Sequence, residues 1–372
     1  MIKIAYIIDT IHSLKAGTEK QLSEIVRRLD RDIFDPYLIC LWKSPWMEHN
    51  ALPVKVFELG YKGLVKPNIA KVISSLVKII KKEQFDIMQT FFEDSILIGY
   101  VGAFFSGNNP ILLSSRRDMG MGDEEPWYHA LYRKMYPLVF RGFHGIVVNG
   151  ESVFGYAAQM SNVPYEKIKV IHNGISINEK TEIIPQIFRD NPADIWIGIA
   201  ANLKPIKRLD IFVEAFRKLL QLVDNLTIKA IILGEGPLRI SLTKMLKEYD
   251  LSSHVFLAGS VDDVTVFLNR CNIGVLCSDR EGFPNAVLEY MACGLPVVAT
   301  RVGGNRELVD HTNGICVPPG DPHALASALS TLCMSANMRN EKGLASKEKV
   351  RQEYSWDRSM REWEGYYQSL VK

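Results

Sequence analysis

The chain has 372 residues, too long for one ordinary domain and suited to two of about 150–200 residues each. A formal net charge of +2 gives no electrostatic reason to expect nucleic acid. Hydrophobic and charged fractions of 47% and 23% are those of a soluble globular protein, not a disordered or membrane-embedded one.

The opening apolar run stops at Asp9 and lacks a basic region and cleavage site, so it reads as a first strand and not a signal peptide. Apolar, β-branched runs at residues 2–8, 37–41, 55–58, 86–90, 111–114 and 145–149 predict strands. Helical patterns separate most of them. The clearest spans 69–81, with Val72, Ile73, Leu76, Val77, Ile79 and Ile80 at helical spacing. Asn173-Gly174 follows a strand-like run at 168–171 and is first a turn signal. Residues 179–192 then lose the alternation and gain proline and polar residues, as a linker does. A second series begins at Trp196 and continues at 227–233, 255–258, 273–277, 296–299 and 315–317. A final helix near 355–368 carries Trp356, Trp363, Tyr366 and Tyr367. No run approaches the ~20 apolar residues that span a bilayer.

Alternating strands and helices in two series predict an α/β protein of two Rossmann-like domains facing across a cleft. Residues 1–178 form the first and 179–354 the second. Ligands of such sheets bind outside the carboxyl ends of the strands, where the strand order reverses. Six cysteines, at 40, 271, 277, 293, 316 and 333, include no CxxC pair. That spacing argues against a zinc site or disulfide framework and for the cytosol.

Several strand ends carry chemistry. After the first strand, Gly17 at a strand-to-helix turn would let backbone N–H groups approach a phosphate, or is simply a turn glycine before a capping Thr18. Ser-Arg116-Arg117-Asp118 ends another strand and is costly to bury without a ligand; Arg117 or Asp118 is expected to face the cleft. Glu93 and Asp94 could be paired acids, although adjacent acids point different ways. His12 and His172 are more readily structural. Gly234-Glu-Gly236-Pro237 is an equally good structural turn.

The richest segment is Glu281-Gly-Phe-Pro-Asn-Ala-Val-Leu-Glu289. It sets two carboxylates eight positions apart around a helix start, with Pro284 suited to the first helical position. A helix N-terminus attracts an anion such as a diphosphate, and carboxylates accept hydrogen bonds from sugar or ribose hydroxyls beside it. Together they describe a nucleotide-sugar site.

The longer string EGFPNAVLEYMACGLPVVATRVGGNRE resembles the Glu-x7-Glu signature of the family-4 retaining glycosyltransferases. Gly282, Phe283, Pro284, the Cys293-Gly-Leu-Pro296 turn and Gly303-Gly304 all fall where that family has them. The resemblance implies the GT-B fold, an acceptor-binding first domain, a nucleotide-sugar-binding second domain, and a terminal helix, 355–372, packing back on the first. It implies sugar transfer with retention, a leaving-group phosphate oxygen helping to deprotonate the acceptor. The catalytic set is then Glu281, Lys207, Arg117 and Asp118. Donor-binding residues are Gly17, Asn202, Lys207, Gly234, Phe283, Pro284, Asn285, Ala286 and Glu289. In this scheme Lys207 clamps the diphosphate, Glu281 holds the donor sugar and Glu289 the ribose.

The chain departs from the family's pattern at three places. Ala16 stands for the first of two adjacent glycines, Asn202 for an arginine with its two-pronged phosphate contact, and no histidine ends the fourth or fifth strand. A UDP-sugar is the expected donor, with GDP- and ADP-sugars fitting the same architecture. No metal or other cofactor is expected, as no Asp-x-Asp donor-metal motif is present. The expected acceptor is a glycan or lipid-linked glycan of polysaccharide or envelope assembly. Aromatics at 120–133 and basic residues at 62–66 and 133–134 suit a lipid-linked acceptor presented at a membrane surface, and so a protein of the cytoplasm peripheral to its inner face, or the aromatics are ordinary core residues. A non-catalytic GT-B partner subunit and a nucleotide-sugar epimerase or phosphorylase remain as alternatives. A nicotinamide dehydrogenase is remote, because no GxGxxG follows the first strand.

Overall fold

The computed structural model describes residues 1–14, 17–63, 66–117, 119–120, 134–177 and 182–371. Ala16, Asp118 and most of the aromatic stretch 120–133 lie outside the described residues. The chain forms two compact units, Met1–Asn173 with Ser359–Lys372, and Gly174–Arg358. The first unit therefore ends at Asn173 and not at 178, and the chain rejoins it at Ser359, inside the terminal helix and not at its start.

The first unit holds seven parallel strands in the order β3-β2-β1-β4-β5-β6-β7. They are β1 (Ile2–Ile8), β2 (Phe34–Cys40), β3 (Lys55–Glu58), β4 (Ile87–Phe91), β5 (Ile111–Arg116), β6 (Gly145–Val148) and β7 (Ile168–Val170). Parallel strands covered on both faces become near-continuous apolar runs, which is why β1 and β4 were visible in sequence. β3, at the edge, is half charged and largely exposed. β2 starts three residues before the expected 37: Pro36 pairs with Ile4 of β1, while β3 begins only opposite Tyr37, leaving Pro36 one strand neighbour. The helix Ile69–Glu83 buries Val72, Leu76 and Ile80, one stripe of its apolar residues.

The second unit holds six parallel strands in the order β10-β9-β8-β11-β12-β13: β8 (Ile195–Ala200), β9 (Ile228–Leu233), β10 (Val255–Gly259), β11 (Ile273–Leu276), β12 (Val297–Thr300) and β13 (Gly314–Val317). Helices Leu209–Leu222 and Pro322–Met334 supply the core on one face; Asn285–Ala292 supplies the other. In each sheet the order reverses once, between β1 and β4 and between β8 and β11. Among the described residues no helix is long and apolar enough to cross a membrane.

The helix Trp356–Val371 carries its later half into the first unit's core. Trp363 and Tyr367 are fully buried, and Phe34 meets Tyr367 edge-on at 6.1 Å. The Tyr6 hydroxyl donates to that of Tyr367 at 3.1 Å, which donates to Gln89 Oε1 at 2.6 Å. Removing so large a side chain leaves a cavity that the sheet cannot close. Trp363→Ala is expected to lower stability by about 3–5 kcal/mol, read as an earlier denaturant midpoint; a loss within error would show that this helix is not part of the core.

Asp9 ends β1 at the switch point. Its Oδ1 accepts from Ser95 Oγ at 2.6 Å. Burial, with Asp94 and Glu93 nearby, pushes its pKa up to about 7 despite that bond. A carboxyl whose folded pKa is raised contributes most stability below its unfolded pKa and loses it as pH rises through the folded one. Wild-type stability is therefore expected to fall between pH 4 and pH 7 relative to Asp9→Asn, measured by denaturant titration across that window. Parallel curves for the two proteins would contradict the shift.

Candidate functional site

The second sheet's switch point brings together the turn after β8 and the loop after β11. The turn is a 3-10 helix, Pro205–Lys207, held from beneath. The Cys277 thiol, pushed up to about 12 by burial, donates to the Lys207 and Arg208 carbonyls at 3.2 Å each. The Asp279 N–H donates to the Ile206 carbonyl at 2.9 Å. Arg208 adopts the left-handed region at φ 46°, a costly conformation for a side chain. Its guanidinium is gripped by both oxygens of Asp279 at 3.0 and 3.1 Å and by Asp210 at 3.0–3.3 Å. These ion pairs keep its pKa above the ordinary value.

So fixed, the turn delivers Lys207 to Glu281: Nζ lies 2.6 Å from Oε1, with the side chains 23% and 10% exposed. The same oxygen accepts from Ser278 Oγ at 2.5 Å. Oε2 has no hydrogen-bond partner among the described residues. Ser278 is itself braced, its carbonyl taking the Thr300 hydroxyl at 2.6 Å, and Asn305 Nδ2 donates to the Thr300 carbonyl at 2.8 Å.

The glycine pair after β12 has a steric reason. At Gly303, φ 43°, a Cβ would lie 1.7 Å from the Glu281 carbonyl oxygen. The Gly304 N–H donates to the Gly282 carbonyl at 2.8 Å. The loop thus rests directly on the backbone that presents Glu281.

The helix after the Glu281 loop is Asn285–Ala292, with Pro284 as its N-cap at φ −77°, ψ 115°. Pro284 is therefore one place outside the first helical position expected of it. Proline's fixed φ suits both places, and the extended ψ decides. Glu289 lies just over one turn along the helix and is buried. The Phe283 ring is buried against Tyr354, centroids 5.7 Å apart, so it serves the core and could meet a donor only through its backbone.

Gly234, at φ 144°, would place a Cβ 2.1 Å from the Ala201 carbonyl oxygen, and Leu203 N–H bonds the Glu235 carbonyl at 2.9 Å. The glycine turn thus packs on the backbone around Asn202, whose side chain is exposed.

In the first unit Gly17 opens the helix Gly17–Arg28. Glu19 closes the preceding loop by accepting from the His12 and Ser13 N–H groups at 3.1 and 3.0 Å. Glu93 pairs with Arg116 at 2.8 Å, whereas Asp94 accepts from the Tyr61 hydroxyl at 2.9 Å; the adjacent acids do part. Arg117 lies between the Phe91 and Trp363 rings, 5.8 and 5.9 Å from their centroids, and donates to Asn173 Oδ1 at 2.5 Å. His12 is exposed, and the His172 carbonyl accepts from Ser359.

The residues that sequence reasoning passed over are Ser278, Thr300, Asn305 and Asp279, together with the bracing contacts that Cys277 and Arg208 make. A pocket of about 480 Å³ lies on the far side of the turn, lined by Pro205, Arg208, Asp279 and Met245 but not by Lys207 or Glu281. Among the described residues no three His, Cys, Asp or Glu side chains gather to hold a metal.

The Glycosyltransferase Family 4 model matches residues 16–179, and the Glycosyl transferases group 1 model matches residues 194–335. The chain is 27% identical over 173 residues to N-acetyl-alpha-D-glucosaminyl L-malate synthase of Bacillus anthracis, covering 46% of this chain and 45% of that relative. The chain thus spans less than half that relative's length. It is 24% identical to UDP-Gal:alpha-D-GlcNAc-diphosphoundecaprenol alpha-1,3-galactosyltransferase of Escherichia coli, covering 91% of this chain and 92% of that one. The crystal structure of Anabaena Alr3699/HepE in complex with UDP superposes with a TM-score of 0.83 at 19% identity, covering 99% of this chain and 100% of that one; this is a likeness of fold. With one family domain on each sheet and the two-sheet architecture of that neighbour, the chain belongs to the GT-B glycosyltransferases.

Proposed function

We propose that the chain transfers a sugar, with retention of configuration, from a nucleotide diphosphate donor to a glycan or lipid-linked acceptor. The observation that carries this reading is the Lys207–Glu281 pair at the second sheet's switch point. Lys207 has three donors and gives one to Glu281, so two remain for a diphosphate. Glu281 keeps Oε2 to accept from a hydroxyl of the sugar, its other oxygen being fixed by Lys207 and Ser278. The helix start at Asn285, whose N-cap Pro284 supplies no side-chain cap, adds partial positive charge for the phosphates, with Glu289 for the ribose. Asn202 and Gly234 complete the second unit's share of the donor site; in the first unit we assign the Gly17 backbone to donor phosphate and Arg117 and Asp118 to catalysis.

No residue here is asked to be a strong nucleophile; the work is positioning and stabilisation of charge building on the leaving diphosphate. A UDP-sugar is favoured as donor because neighbours of this fold bind UDP. A lipid-linked acceptor is favoured by the Escherichia coli relative, whose acceptor is a diphosphoundecaprenol-linked GlcNAc. We place the chain in polysaccharide or envelope glycan assembly, peripheral to the membrane. Phe104 and Phe105, whose rings meet with centroids 5.3 Å apart, and Leu138 are each 63–70% exposed, and Lys134 and Arg141 are exposed as well; apolar and basic side chains of this kind suit such a surface.

Calorimetric titration with UDP, GDP and ADP tests the donor site. UDP is expected to bind most tightly and to weaken about tenfold or more in Lys207→Ala. Glu281→Gln should keep nucleotide binding while transfer falls by about 10²–10³, followed with labelled donor and a lipid extract. Failure of all three nucleotides to bind would favour the non-catalytic partner subunit instead. Cosedimentation tests the membrane surface: the protein should pellet with vesicles containing anionic lipid, less so as Phe104→Ser/Phe105→Ser. Equal pelleting of the two would remove that part of the proposal.

A further inference from the structure

Beside the first sheet's switch point lies a cation with no counter-ion among the described residues. Arg117 follows β5 and has no carboxylate partner among the described residues; its Nε is buried and unbonded, and a terminal nitrogen of its guanidinium donates to the neutral side chain of Asn173. Burial pulls its pKa down to about 10, the direction expected where solvent has been lost and no anion has replaced it. Beside it the Ser115 hydroxyl, 5% exposed, has no partner either. Buried polar groups in folded proteins are nearly always satisfied, so two unsatisfied neighbours point to a missing ligand.

Both line a small pocket with Thr18, Phe92, Glu93 and Arg116. Two helices begin on its wall, Gly17–Arg28 and Glu93–Ser106. The second has no side-chain cap, and its N-cap Phe92 sits at φ 68°, ψ 167°, a region that glycine alone occupies without strain. Among the described lining residues, two guanidinium groups, Arg116 and Arg117, face one carboxylate, Glu93. Helix starts, the two guanidinium groups and an orphaned hydroxyl donor all favour an oxyanion. The volume, about 10 Å³, admits about one oxygen-sized atom.

We infer that this pocket receives one oxygen of a phosphoryl group, held by Arg117 and Ser115 with the helix start at Phe92–Glu93. The remainder of the phosphoryl group stays outside the pocket. That the group belongs to the acceptor, as a diphosphate-linked glycan would supply it, rests on the sugar-transfer reading above; that the pocket takes a phosphoryl oxygen does not.

The test uses the full chain and inorganic pyrophosphate as probe, in a Lys207→Ala background that disables the proposed donor clamp. Pyrophosphate should still bind, about tenfold more weakly once Arg117→Met is added and measurably more weakly with Ser115→Ala. Arg117→Lys, which keeps the charge, should recover part of the loss. Met also fills the space between Phe91 and Trp363, and Ser115→Ala gives an independent answer if the Arg117 variant fails to fold. Pyrophosphate affinity indifferent to both changes would overturn the site. A parallel UDP titration identifies the source. UDP affinity unchanged in Arg117→Met supports the acceptor, and an equal loss for UDP overturns that assignment in favour of the donor's own diphosphate. Failure of UDP, GDP and ADP alike to bind the wild-type protein would sink the transferase reading while leaving the pyrophosphate result intact.

Discussion

The second unit's site depends on one constraint: a lysine and a glutamate 74 positions apart must meet over the gap between β8 and β11. Neither β8 nor β11 can make this contact alone. The turn carrying Lys207 is held by Cys277 and Asp279 from the β11 side, and the loop carrying Glu281 is held by Ser278 and the glycines after β12. Three consecutive strands of the sheet thus converge on one ion pair. At partial exposure such a pair adds little to stability; its value is that both charges are set in place before any ligand arrives.

The first sheet solves a similar geometric problem with different chemistry. Where the second unit pairs its lysine with an acid, the first leaves Arg117 with aromatic faces and an amide. Cation–π contacts and one hydrogen bond do not replace lost hydration as an anion would. The two sheets share the order of their first six strands and the place of the switch, yet one presents an ion pair and the other a cation with no carboxylate partner among the described residues.

Most of the fold was legible because parallel strands buried on both faces leave long apolar runs. Every strand came through, with boundaries off where a polar or proline residue interrupts the run, as at Asp35-Pro36, or where polar residues continue it, as at Ser114–Arg116 of β5. The site was legible one residue at a time. Lys207 and Glu281 each stood out, but their contact depends on which strands neighbour each other, and no local pattern states that. Ser278, Thr300 and Asn305 were invisible for the same reason: they are ordinary polar residues until the register of β11 and β12 sets them side by side. The Gly303-Gly304 pair could be picked out, though its steric cause, the Glu281 carbonyl, could not. Pro284 was misplaced by one position because proline's φ is equally at home as cap or first helical residue.

The terminal helix bears on the order in which the protein can be made. Residues 1–173 are made before residues 174–372 and contain all seven described strands of their sheet. Tyr6, Phe34 and Gln89 must nevertheless wait for Trp363 and Tyr367, with the whole second unit translated in between. During that interval an apolar face and the Gln89 side-chain carbonyl stay uncovered, so the nascent first unit is a substrate for chaperones until its last piece arrives.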